Sequence, residues 1–432
     1  MNYSFVEAPF LGKSLNRRPV NIVGAGISGL LLGFFLKKQG IPFKIWEKND
    51  TAGGLLGTLQ TPYGIAEKAA NGFLWSDSLV QICEHLKLKI IPPSTISKKR
   101  YIYYQKNLRP LPVSWQWVVQ AGLRSLRPHK IQTYETVADW GNAFLGEKIT
   151  QNLLSPALSG IYAALPEELS FPAIFPSLAK ALTQKRSLLQ ALLQMRNNTS
   201  AAPAAYKGTL SFENGMQTLI DALQKHLQND IAFNTNITEC TPHENWVLCC
   251  PAGAAQKLID EPYLYNDFSA IRYADIHTFT VFIPRENWQN QPQGFGCLIP
   301  RGQNFNILGA IFNDQLFPNR TISKDLISIT CIMRDFDGSF SNISESNLLQ
   351  QVQQEIDRLF AIQSNTIQIQ HFHWKNGIPI YSPQLFNAWY KIHEFLHSSF
   401  SAIRLFGNYT GGISIRQMAS NAEKIATLAA QN

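Results

Sequence analysis

Three glycines spaced as GAGISG occupy positions 24–29, directly after the β-rich run VNIV and directly before the apolar run LLLGFFLKKQG. That spacing is built for a phosphate. Gly24 permits a tight turn, Gly26 lets the backbone approach a pyrophosphate, and Gly29 lets a helix pack close to a strand; Ala25, Ile27 and Ser28 complete the loop. The pyrophosphate then lies at the positive end of the helix. A second strand, PFKIW, ends at Glu47, 23 positions after Gly24, where a carboxylate can accept hydrogen bonds from ribose hydroxyls, with Lys48 beside it. Strand, glycine loop, helix, strand and terminal acid in this order read as a dinucleotide-binding unit. Just beyond, KNDTAGGLLGT places Gly53, Gly54 and Leu55 on a turn that either approaches the same phosphates or is an ordinary loop.

A rival chemistry is spelled by HEFLH at 393–397, which on a helix puts His393 and His397 on one face for zinc with Glu394 as general base. No histidine follows His397, and Glu423 is the one obvious downstream carboxylate. The segment AWYKIHEFLHSSF reads equally well as an amphipathic helix before the strand IRLFG, so no metal is expected. His371 and His373, alternating on an expected strand, are read as structural. Six cysteines at 83, 240, 249, 250, 297 and 331 form no CxxC pair, which favours a reducing compartment. Cys249 and Cys250 are expected to be strand residues, since neighbours in sequence form no unstrained disulfide.

A chain of 432 residues that is 45% apolar and 16% charged is globular, with two or three lobes, and is neither fibrous nor disordered. Arg17 and Arg18 precede the charge-free stretch 19–36, which imitates an export signal or a spanning helix. The glycine loop inside it favours a buried strand and helix instead. Of the net charge of +8, a matching eight Lys or Arg (98, 99, 100, 106, 109, 124, 127 and 130) fall within 98–130 with no Asp or Glu among them. Tyr101, Tyr103, Tyr104, Trp115 and Trp117 are interleaved. Such a segment suits an anionic membrane surface or attraction of a carboxylate-bearing substrate; the plainer alternative is a solvated basic face with its tryptophans in the core. No nucleic acid is expected, because no binding module accompanies the patch.

Beyond these local signals, the acid followed by Gly-Gly resembles the FAD fold of the amine oxidase and glutathione reductase type. Separated stretches resemble one subfamily, the oxygen-dependent protoporphyrinogen and coproporphyrinogen oxidases: RYIYYQKNLRPLP (100–112), NLLSPALSGIYAALPEELSFPAIFP (152–176), FENGMQTLIDAL (212–223), GFGCLIPRG (294–302), LGAIFNDQLFPNR (308–320), HWKNGIPIYSP (373–383) and LFGNYTGGISI (405–415). The resemblance runs in order over nearly the whole chain. It implies an α/β fold: an FAD-binding Rossmann-like domain, a mixed-sheet substrate domain and a helical insert able to meet a membrane. The FAD domain is expected to be discontinuous (1–80, 205–255 and 385–432), with the insert at 81–204 and the substrate domain at 256–384. Within the returning piece, FNTNITEC and WVLCCPAGAA are read as β-like.

The resemblance also implies contacts. Ile237 is expected beside the adenine, Gly407, Gly412, Ile413 and Ser414 near the flavin, and Asn71, Leu298 and Leu308 about the substrate. The implied reaction passes hydride equivalents from a porphyrinogen to FAD and then to oxygen, in three two-electron cycles that release hydrogen peroxide. No catalytic base is named, because the isoalloxazine is the electron sink. Two departures stand out: Leu55 where the family usually has a basic residue, and Lys68, Ala69 and Ala70 where it commonly continues Glu-x-Gly-Pro. They leave two alternatives in play, an amine oxidase or isoprenoid desaturase of the same fold, and a non-catalytic relative with a degraded flavin site. A cytoplasmic location is expected, with peripheral contact at the inner face of the inner membrane; whether the chain forms a homodimer stays open.

Overall fold

The computed structural model describes residues 18–431 except 127–132, 186, 197–202, 204–205, 242, 337, 339, 341–342, 363–367 and 401. The strands that position the site are β1 (Val20–Val23), β2 (Phe43–Trp46), β3 (Thr58–Thr61), β4 (Gly64–Glu67), β5 (Arg100–Tyr104), β6 (Asn107–Pro110) and β7 (Ile231–Ala232). They continue with β8 (Asn245–Leu248), β9 (Tyr273–Pro284), β10 (Gly296–Leu298), β11 (Ile307–Phe312), β12 (Leu326–Arg334), β13 (Gln368–Pro379) and β14 (Ile403–Leu405). The helices that bear on the site are α1 (Ile27–Lys38), α2 (Trp115–Leu126), α3 (Ser155–Tyr162), α4 (Leu188–Arg196), α5 (Gln217–His226), α6 (Glu345–Phe360), α7 (Pro383–Ser399) and α8 (Ile415–Ala430).

One sheet is parallel, in the order β14-β8-β1-β2-β7. The stretch that imitates an export signal supplies its centre. Val20 and Ile22 are buried on β1, and Leu30, Leu31, Leu32, Phe34, Phe35 and Leu36 are all buried on α1, so this helix is apolar because protein covers it on every side. Helix α8 lies against it, with the Ser28 hydroxyl on the Met418 sulfur at 3.2 Å. Among the described residues no helix is long and apolar enough to cross a membrane.

The second sheet has the order β13-β9-β12-β11-β10-β5-β6. Alternation along its strands makes two faces. Phe279, Cys331 and Ala310 point toward α6, whose Leu348, Val352 and Ile356 recur at helical spacing and are buried on them. Thr278, Thr280, Thr330 and Ile332 point the other way, toward the parallel-sheet half of the molecule.

Two expectations are corrected, and the insert shows two further features. The stretch FNTNITEC is no strand: β7 stops at Ala232, Asn234 takes a left-handed φ of 54°, and Asn234 N and Thr235 N bond back to Asn49 O and Glu47 O, which takes the backbone out of the ladder. Cys249 and Cys250 lie just past β8 rather than in it. Within 81–204, β5 and β6 interrupt the helices and extend the second sheet, β5 pairing in parallel with β10. Of the tryptophans in the basic run, Trp115 is 74% exposed, and α2, which carries both Trp115 and Trp117, buries none of its residues, so the alternative that placed them in the core does not hold. Arg127 and Lys130 of the basic run, and most of 197–205, lie outside the described residues.

Candidate active site

The glycine loop and the acid form one unit. Gly24 N donates to Trp46 O, and Ala25 N donates to Glu47 Oε2 at 2.8 Å, while Asn49 N donates to Oε1 at 2.9 Å. Glu47 is buried at the tip of β2, and each of its oxygens keeps a lone pair for a ribose hydroxyl. Lys48 is exposed beside it, and the loop carrying Ile237, which is partly buried, is tied to the same strand end. At Gly29 a side chain is excluded, because its Cβ would stand 2.0 Å from Gly24 O. At Gly26 the reverse holds: a Cβ there would meet nothing within 4 Å. That open space lies at the start of α1, whose N-cap, Gly26, makes no side-chain bond, so first-turn N–H groups are left for an anion.

The second glycine turn closes over the first. Gly53 N donates to Ala25 O at 2.9 Å, Gly26 and Gly53 form a parallel bridge, and a Cβ on Gly54 would stand 3.2 Å from the Gly26 Cα. The turn is therefore part of the cradle, and Leu55 follows it half-buried. Ile27 packs on the α1 core, and α8 starts nearby with Ser414 as its cap, Ser414 Oγ accepting from Gln417 N. Ahead of that helix, Gly407 closes a turn with Thr410; Gly412 N donates to Tyr381 Oη at 2.8 Å, and Tyr381 Oη donates to Asn408 O. Ile413 packs beside Tyr381 in the same core. The open space over Gly26, the uncapped helix start and the spare lone pairs of Glu47 fit the pyrophosphate and ribose of a dinucleotide.

Between cradle and second sheet runs the strap Glu67–Asn71. Lys68 O accepts from Trp374 Nε1 at 2.7 Å and from Thr278 Oγ1 at 3.1 Å, and Thr330 Oγ1 approaches Asn71 Oδ1 at 3.5 Å. Leu298 shares that sheet face: it pairs with Gly309, and its Cδ2 lies 3.0 Å from where a Cβ on Gly160 of α3 would be. Leu308 is buried close by, Ile299 N donating to its carbonyl. The three residues expected near substrate thus border one sheet face, walled by α3, where Tyr162 meets Tyr381 edge-on at 6.1 Å. Arg334, at the end of β12, is held by both oxygens of Glu168 at 2.7 and 3.0 Å and donates to Ala163 O, which fixes the insert to the sheet.

Sequence reading missed Trp374, Tyr381, Thr278 and Glu67. Glu67 is 2% exposed, and burial pushes its carboxyl up to about 7 despite hydrogen bonds from Thr58 and Met216 N and the charge of Arg320. Its one sequence signal was an acid retained next to departures.

HEFLH lies on α7 as read. His393 and His397 border a shallow groove with Trp389, Leu396, Ile403 and Arg404, whereas Glu423 takes the Ser78 hydroxyl at 2.6 Å. Among the described residues no three His, Cys, Asp or Glu side chains gather in a metal-sized group. His371 and His373 stack with His277 on the α6 side of the second sheet, away from the strap.

A model of flavin containing amine oxidoreductases matches residues 27–414. The chain is 23% identical to protoporphyrinogen oxidase 2 (chloroplastic/mitochondrial) of Arabidopsis thaliana, over 96% of this chain and 94% of that one. It is 20% identical to coproporphyrinogen III oxidase of Bacillus subtilis (strain 168), over 92% and 95%. The fold superposes with a TM-score of 0.80 on a solved structure from Exiguobacterium sp. 255-15, a protein provisionally named protoporphyrinogen oxidase, at 17% identity over 97% and 100%. With a glycine cradle shaped for a dinucleotide and a match over most of its length, the chain belongs to the flavin containing amine oxidoreductase family and is an FAD-dependent oxidoreductase.

Proposed function

We propose that the protein oxidises a porphyrinogen to the porphyrin with oxygen as acceptor. One observation carries the reading: the strap Glu67–Asn71 spans from the cofactor cradle to a sheet face bordered by Leu298, Leu308 and Thr330, so a flat apolar substrate laid on that face lies beside the cofactor. Relatives matched over nearly their full length bear protoporphyrinogen or coproporphyrinogen oxidase names. When bound, FAD supplies a two-electron acceptor, and the chain need only bind, orient and exclude water.

In this reading Gly24 to Gly29, Gly53, Gly54 and Leu55 line the pyrophosphate; Glu47, with Lys48 and Ile237, holds the adenosine; and Gly407 with Gly412 to Ser414 borders the flavin. Asn71, Leu298 and Leu308 meet the substrate. Each of three cycles would remove a hydride and a proton from the macrocycle, and the two electrons with two protons would pass to one oxygen molecule, which leaves as hydrogen peroxide. Anaerobic mixing with a chemically reduced porphyrinogen tests the first half of this cycle, since it should bleach the bound flavin's visible absorbance. Flavin that stays oxidised while a primary amine bleaches it would favour the amine oxidase reading.

The insert is proposed to rest on a membrane surface. Trp115, Val119, Leu123 and Leu126 of α2 and Leu192 and Leu193 of α4 are exposed, and the exposed Arg109 lies over Tyr104, whose ring meets Trp117 of α2, so apolar side chains and a cation face outward on one group of elements. Anionic vesicles should sediment the protein, less so in high salt.

A further inference from the structure

We propose that Glu67 is a positioning residue for the cofactor: its ionised carboxylate fastens the second glycine turn to the start of α5, and FAD affinity follows its charge. The proposal rests on the reading that the cradle takes FAD.

The geometry is a clamp. Thr58 begins β3 immediately after the turn, and Glu67 ends β4 opposite it. Glu67 Oε2 accepts from Thr58 Oγ1 at 2.6 Å, Oε1 accepts from Met216 N at 3.0 Å, and Thr58 Oγ1 accepts from Gln217 N at 3.0 Å. Gly215 has no room for a side chain, because a Cβ would stand 2.4 Å from Thr58 Oγ1 and 2.6 Å from Glu67 Oε1. Farther along α5, Ile220 lies 3.2 Å from where a Cβ on Gly53 would be. Moving α5 away from the hairpin therefore moves Gly53 and Gly54, the wall above Gly26.

Charge enters through Arg320. Its guanidinium is buried and bonds only neutral acceptors, Ser211 Oγ at 2.8 Å and the carbonyls of Phe212 and Glu213, and its positive charge favours the carboxylate of Glu67. The other charged groups at hand are engaged or directed elsewhere: Glu213 takes Asn319 Nδ2, Asp221 takes Gln217 Nε2, and the Lys68 side chain lies over Gly57. Hydrogen bonds to an ionised acceptor are roughly twice as strong as neutral ones, so losing the charge loosens the clamp. With the carboxyl pushed up to about 7, that loss falls in the neutral range.

The test titrates apoprotein with FAD, followed by quenching of flavin fluorescence, in wild type and Glu67→Gln between about pH 6 and about pH 8. Glutamine copies the protonated acid, accepting from Met216 N and donating to Thr58 Oγ1, and a thermal melt checks that the variant folds. The wild-type dissociation constant should rise from about pH 8 to about pH 6, by at most about tenfold for one proton that binds near pH 7. Glu67→Gln should be flat across that range at the weak level. A flat wild type, or a variant that keeps the tight value at the alkaline end, overturns the proposal. Should Glu67→Gln fail to fold, Thr58→Val decides: removing a bond that favours the carboxylate must move the wild-type inflection to higher pH, and an unmoved inflection overturns the proposal. A wild type that takes up no FAD at any pH instead removes the cofactor reading and this proposal with it.

Discussion

Trp374 donates its indole N–H to Lys68 O at 2.7 Å, joining the edge strand β13 to the strap between cofactor cradle and substrate face. A single net hydrogen bond contributes about 1 kcal/mol, and here its loss leaves a carbonyl that Thr278 still serves. Trp374→Phe should therefore fold normally and lower kcat/KM for the porphyrinogen by about three- to tenfold. Steady-state kinetics beside a melting curve will check this, and an unchanged kcat/KM counts against the strap as a positioning device.

Gly26→Val should abolish flavin binding while leaving the fold standing. The Cβ position meets nothing in the protein, so the added side chain would occupy only the space assigned to the pyrophosphate. Flavin content after purification gives the answer; undiminished content would sink the cradle assignment.

On α2, Trp115→Ser with Leu123→Ser should reduce sedimentation with anionic vesicles several-fold without shifting the melting temperature. Both side chains are more than half exposed, and surface changes of this kind cost within about 0.5 kcal/mol. A lowered melting temperature would mean that the face is packed against protein.

Acid should destabilise the protein partly through His277. Burial and the neighbouring His373 and His371 hold its ring down to about 4, with Asp275 opposing; Glu345, which bonds His371, and Lys375 and Asp335, which act on His373, are the other charges on this cluster. The folded value lies below the ordinary 6.5, so the neutral ring's contribution is complete above about 6.5 and lost as pH falls toward about 4. Melting temperature against pH should fall across that window in wild type and fall less in His277→Asn. Equal slopes would show that other groups carry the acid response.

The parts of the site visible in sequence were those that local backbone chemistry dictates. Gly24, Gly26, Gly29 and Glu47 belong to one strand-helix-strand unit, and their types follow from steric demands within about two dozen residues. Trp374 on Lys68, Tyr381 on Gly412 and Glu67 on Met216 join residues 306, 31 and 149 positions apart, and nothing in the local pattern announces such pairs. FNTNITEC alternates like a strand, yet the bonds from Asn234 and Thr235 to the end of β2 pull it out of the sheet. RYIYYQKNLRPLP resembled the family as a stretch, but its place beside β10 was not legible, because that partner lies nearly 200 residues away. Leu55 and Ala70, read as departures, are accommodated in place: Leu55 is half-buried after the turn and Ala70 packs on the α1 core.

The most direct measurement mixes FAD-loaded protein with protoporphyrinogen and, separately, coproporphyrinogen in air, following porphyrin fluorescence and hydrogen peroxide against a no-enzyme control. The account predicts enzyme-dependent fluorescence with at least one of them, matched by peroxide in proportion to the electrons removed. A flavin-loaded preparation that accelerates neither oxidation would contradict it.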